Sequence, residues 1–180
     1  MLPIGVLMIE HRLIERMIWL MQTEYNKIRG KGVPDQKFLE SAIDFMRNYA
    51  DRCHHGKEED VLFRELKSKP LSPEHQKTMQ ELIGDHVHMR ELLDGLDRAR
   101  REFCGGDYGV ILEIGGKLGV LVDLYPCHIE KEDKHFFLPS MEYFTEEEKA
   151  GMLRAFDEFD KNLFKEKYAR VVEGQEVALK

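Results

Sequence analysis

CHHGKEEDVLF, residues 53–63, and CHIEKEDKHFF, residues 127–137, share one pattern: Cys-His-x-x-Lys-Glu-acid, closing each time on aromatic or aliphatic bulk. His and Glu four apart lie on one helical face, about 40° and one turn from each other, so both can touch one centre. His54 with Glu58 and His128 with Glu132 therefore read as two helices contributing imidazole and carboxylate to one buried pair of metal ions. A polar layer without a cation would have to desolvate several ionisable groups, at a cost of several kcal/mol for each one imperfectly satisfied.

The flanking sequence supplies the helices. Pro3, Ile4, Leu7, Met8, His11, Ile14, Ile18, Met21 and Tyr25 follow three-four spacing up to the Gly30 and Gly32 breakers, with His11 inside the apolar stripe. Pro34-Asp35 opens a second helix through Phe38, Leu39, Ala42, Phe45, Met46 and Tyr49 that runs to about Lys67. Its stripe, extended at about 100° per residue, reaches Cys53 better than His54, so a register change is required, and Gly56 is the place expected for it. Ser72-Pro73 starts a third helix with Met79, Leu82, His86, Met89, Leu93 and Leu96 in its seam. The fourth opens at Asp107 and carries Ile111, Ile114, Leu118, Leu121, Tyr125, His128, Glu132 and His135, stopping at Leu138-Pro139. Thr145 with Glu148 reads as a capping box for a last helix whose stripe is Met152, Phe156, Phe159 and Leu163, and the final VEGQEVALK is expected to fray.

The expected class is all-α: an antiparallel up-down four-helix bundle with an additional C-terminal helix. The 180 residues are read as a single domain, with the bundle over about 3–140 and the covering helix over about 145–172. A net charge of −7 gives no electrostatic footprint for nucleic acid or an anionic membrane surface, and no apolar run approaches the roughly 18 residues of a membrane span. Cys53, Cys104 and Cys127 are too few for a disulfide framework. The N-terminus meets Glu10, His11 and Arg12 before any cleavage-site pattern, so a reducing, cytoplasmic setting is expected.

His11, His54 with Glu58, His86, and His128 with Glu132 together resemble the hemerythrin-like, or HHE cation-binding, domains, in which each of four helices contributes in this order. The resemblance covers about residues 5 to 140. It implies a centre of two iron ions, with Glu58 and Glu132 as bridging carboxylates and histidines as terminal ligands. It also implies capture of oxygen or a related small ligand, nitric oxide or peroxide, for sensing, storage or delivery. The alternatives are an enzyme of oxidative or nitrosative stress, including iron–sulfur repair, and an iron or zinc handling protein. Oxygen carriers of the group have a second histidine on the third helix where this chain has Arg90. His55 is taken as the replacement, because a doubled histidine recurs in bacterial members, with His135 as its rival.

Other residues receive lesser roles. Glu59 and Asp133 are candidate acceptors that orient imidazole N–H groups. Cys53 and Cys127 are read as buried, inert thiols, and His88 and His75 as solvated. Pro126 is expected to kink the fourth helix, and Trp19, Tyr25 and Tyr125 are expected to pack. Beyond the small ligand, a second copy of the chain or another protein is the expected partner.

Overall fold

The computed structural model describes residues 2–161 and 165–179, and these are helical with no strand among them. Helix α1 is Pro3–Arg29. The second rod begins as α2, Gln36–Phe45, passes through π-helical Met46–His55 and Glu58–Phe63, and closes in α3, Arg64–Leu66. Helix α4 is Pro73–Cys104, and α5, Ile111–Lys131, continues through a π-turn at Glu132–Phe136 into α6, Phe137–Ser140. Helices α7, Glu146–Lys161, and α8, Lys165–Ala178, complete the chain. No helix among the described residues is long and apolar enough to cross a membrane.

The starts are set by local chemistry. Asp35 accepts from the backbone N–H of Lys37 and Phe38, at 2.9 and 3.1 Å, which satisfies donors that a helix start leaves orphaned. Ser72 accepts from His75 N–H, with Pro73 at the first helical position. Thr145 and Glu148 exchange both bonds of the expected capping box, at 2.9 and 3.2 Å.

Helix α5 lies along both α1 and α4, the second rod packs on α4 and α1, and α7 and α8 lie against α1 and the second rod. Their apolar faces form two clusters. One contains Ile14, Phe45, Leu93, Leu118 and Tyr125, and the other Leu7, Leu62, Leu82, Phe136 and Phe156. Between Leu7 and Ile14 on α1 falls His11, and between Tyr125 and Phe136 fall His128 and Glu132. The polar residues of the two motifs thus form a layer between two apolar halves.

The structure corrects several expectations. Among the described residues the C-terminal segment is helical over Glu146–Lys161 and Lys165–Ala178, so the tail expected to fray is helical to Ala178. Leu163 lies outside the described residues, while Met152 and Phe156 are buried and Phe159 partly so. Trp19 is 58% exposed and does not pack in the core, whereas Tyr125 is buried. The register change of the second rod does not sit at Gly56, whose φ −59° and ψ −42° are ordinary right-handed helix. It is spread over Met46–His55 as π-helix. A π-turn closes i→i+5 bonds and so adds a residue per turn, rotating the residues beyond it by about 100°. The slower twist of this stretch turns His54 inward, where it is 1% exposed.

An ion-pair cluster ties the second rod to α4 away from the polar layer. Asp97 accepts from Arg47 at 2.8 Å and from Arg100 at 2.9 Å, and Arg101 approaches it at 3.2 Å. Burial alone would raise the Asp97 carboxyl, but Arg47 and Arg100 hold it below its ordinary value. A depressed carboxyl contributes stability above its unfolded-state pKa and loses it as pH falls through the folded-state value. Asp97→Asn should therefore cost about 1 kcal/mol at neutral pH, since its partners are partly solvated. The deficit should shrink towards zero as the solution is acidified through the carboxylate range. Urea midpoints across that range check both.

Candidate metal centre

His11 from α1, His54, His55 and Glu58 from the second rod, His86 from α4, and His128 and Glu132 from the end of α5 all converge, and each is at most 1% exposed. Two overlapping donor sets result. His55, Glu58, His86 and His128 offer one atom each within 4.8 Å of one another, and so do His11, His54, Glu58 and Glu132. Bonds of about 2.0–2.2 Å place two donors on one first-row ion at most about 4.4 Å apart, so each set lies within a few tenths of an ångström of coordination reach.

Each inner carboxylate spans the two sets. Glu58 places Oε1 3.4 Å from His54 Nε2 and Oε2 3.3 Å from His86 Nε2. Glu132 places Oε2 3.2 Å from His11 Nε2 and Oε1 3.3 Å from His128 Nε2. Despite these short separations, His11 Nε2, His54 Nε2 and all four carboxylate oxygens lack a hydrogen-bond partner, because the atoms aim past one another towards common points. His86 Nε2 and His128 Nε2 face each other at 3.1 Å. Either a proton on one ring or a shared cation relieves the lone-pair repulsion at that distance, and the four unpartnered carboxylate oxygens beside them make the donor chemistry fit metal cations.

Every one of the five rings has a carboxylate on its outer nitrogen. His11 Nδ1 meets Asp133 at 2.8 Å, His54 meets Glu10 at 3.1 Å, and His55 meets Asp51 at 3.3 Å. His86 meets Glu59 at 2.7 Å and His128 meets Asp85 at 3.2 Å. A carboxylate accepting from Nδ1–H fixes the tautomer that leaves the Nε2 lone pair directed inward. These outer acids are in turn matched by bases: Asp133 by Arg12, Glu10 by Lys57, Asp51 and Glu59 by Arg90 at 2.7 and 2.8 Å, and Asp85 by Lys131 at 3.2 Å. The outer charges are thereby compensated, and Glu58 and Glu132 remain as the interior charge that a cation would balance.

In the metal-free chain these neighbours set the titration behaviour. Burial opposes charge on His11, but Asp133 and Glu132 lift it to about 9, and Glu132 and Asp85 overcome burial to lift His128 to about 10. Burial, then the neighbouring His86 and His54, push His55 well below its ordinary value. Burial would raise Glu132, yet His128 and His11 hold it well below the usual carboxylate range.

Glu59 and Asp133 are acceptors on ring nitrogens, as the sequence suggested. Glu10, Asp51, Asp85, Lys57 and Arg90 escaped the sequence reading. A signal existed: Glu10 and Asp85 directly precede the seam histidines, and Asp51 stands four residues before His55 on the same face. Arg90 occupies the place of the absent histidine and orients the acids on His55 and His86. His135 is exposed, because the π-turn at Glu132–Phe136 hands the inward position to Phe136. His88 is exposed as expected, but His75 is half-buried and meets the Tyr143 hydroxyl at 2.8 Å. Cys53 is buried and Cys127 exposed, so the two motifs are not equivalent at that position. Pro126 lies within α5.

A family model described as "Hemerythrin HHE cation binding domain" matches residues 2–139. Comparison with curated proteins and with solved structures returned no match.

Proposed function

Because the chain belongs to the hemerythrin HHE cation-binding family, we propose that its donor layer holds two iron ions and captures oxygen or a related small ligand such as nitric oxide. The rods at residues 3–29, 36–66, 73–104 and 111–136 are read as one up-down bundle within a single domain. The short connections at 30–35, 67–72 and 105–110 and the packing of α5 on both α1 and α4 support that reading.

The observation that carries the function is the asymmetry of the two donor sets. His55, His86 and His128 serve one side, and His11 and His54 the other, with Glu58 and Glu132 spanning both. The two-histidine side has one donor fewer, which leaves a coordination position for an incoming diatomic. Two ferrous ions there would supply the electrons and the binding position. His11 stacks on Phe137 at 5.7 Å, and Phe136 and Phe156 are buried near the layer, so the surroundings favour a small, weakly polar ligand over a charged substrate.

Peroxide or nitric oxide turnover is the second reading, and it needs a proton donor beside the bound ligand. Glu59 is engaged by His86 and Arg90. Tyr125 has a buried hydroxyl without a hydrogen-bond partner, but its ring stacks on His55, in the three-histidine half. That arrangement supports binding over turnover.

Loading the protein with ferrous iron without oxygen, then admitting air, tests the function. A visible absorption change that reverses on degassing is the expected result. Irreversible oxidation points to the stress enzyme, and a chain that holds zinc and ignores air points to metal handling. The fifth imidazole is tested separately: His55→Ala should lose an ion while His135→Ala keeps two, both read by metal analysis. The opposite pattern would reinstate His135.

A further inference from the structure

Helix α7 lies beyond the residues that the family model matches, yet it reaches the donor layer. Lys57 stands between His55 and Glu58 and is wholly buried. Its ammonium donates to Glu10 on α1 and, at 2.5 Å, to Asp160 on α7, with the Phe156 ring 6.0 Å away. The other oxygen of Glu10 accepts from His54 Nδ1–H. Asp160, Lys57, Glu10 and His54 thus form one line from α7 to the two-histidine side. The same helix seats Phe159 on Gly56, where an added Cβ would meet the ring at 2.9 Å. That contact accounts for glycine in the middle of the motif, where helix propensity alone would favour alanine by about 1 kcal/mol.

A buried lysine costs several kcal/mol unless it is paired, and an apolar residue at 57 would cover Phe156 as well. The charge therefore has a use besides packing. The acids on His11, His55, His86 and His128 are matched by Arg12, Arg90 and Lys131, all within the matched residues. The acid on His54 is matched by a lysine that α7 itself anchors.

We propose that Asp160 and Lys57 are positioning residues for His54, so that docking of α7 sets how firmly the two-histidine side holds its ion. The inference rests on the di-metal reading above. Outer partners of this kind change metal retention by roughly 10- to 100-fold, and here the effect falls on one ion of the pair.

The test is release of ferrous iron from the loaded full chain to a colorimetric chelator without oxygen. Asp160→Asn should release one ion about tenfold faster than wild type and the other at the wild-type rate. Asp160→Glu should restore the slow phase, and Lys57→Met should repeat the single-ion effect. Leu96→Ala opens a cavity in the other apolar cluster, on α4 and away from α7, and serves as the structural control, with the ratio of the two rates unchanged. Asp160→Asn rates that equal wild type, or that rise together as the control's do, would overturn the inference and leave the di-metal reading standing. A wild-type chain that never holds two ions overturns both.

Discussion

If the wild type carries the proposed two ions per chain, Glu58→Ala should carry at most one, because Glu58 belongs to both donor sets. Its oxygens lie 3.4 Å from His54 Nε2 and 3.3 Å from His86 Nε2, on opposite sides of the layer. Losing it removes one donor from each side and half of the interior negative charge that holds the cations. Outer-sphere substitutions cost about 10- to 100-fold in affinity, so loss of a shared inner donor should exceed about 100-fold. His128→Ala should lose an ion by the same logic, while Glu59→Gln, which only reorients His86, should keep both under saturating metal. Metal analysis of the purified variants decides the matter. Two ions in both Glu58→Ala and His128→Ala would sink the ligand assignment.

Stripping the metal should cause the largest loss of stability. Ligands that bind only the folded state stabilise it by about 4 kcal/mol each when present at about a thousand times their dissociation constant, so two ions contribute about 8 kcal/mol. At roughly 2–4 °C per kcal/mol for a chain of this length, the melting temperature should fall by roughly 15–30 °C on chelation. The molecular reason is that the donors stay buried when the cations leave. Glu58 and Glu132 remain inside, with their oxygens lacking hydrogen-bond partners, and protons on His11 and His128 become the substitute positive charge. Calorimetry of loaded and chelated protein measures the difference. Melting temperatures within a few degrees of each other would show that the layer is stable without cations.

Much of the centre was legible in the chain because helical periodicity is local. His11, His86, His128 and Glu132 stand at seam positions that spacing alone identifies, and Asp35, Ser72 and Thr145 announce helix starts through the donors they satisfy. His55 and His135 could not be ranked that way. Their facing depends on π-turns at Met46–His55 and Glu132–Phe136, each of which rotates the later residues by about one position. Spacing rules assume a constant twist and miss that rotation.

The sequence by itself determined the helical class and the family and named the candidate donors, because a three-four pattern with a repeated His-x-x-x-Glu marks which faces can turn inward. Only the tertiary structure decided the rest: His55 buried while His135 is exposed, Arg90 paired with two outer acids, and Asp160 reaching Lys57 from α7. Those pairings join residues far apart in the chain, and charge complementarity across a packed interface leaves no periodic trace in either segment that contributes to it.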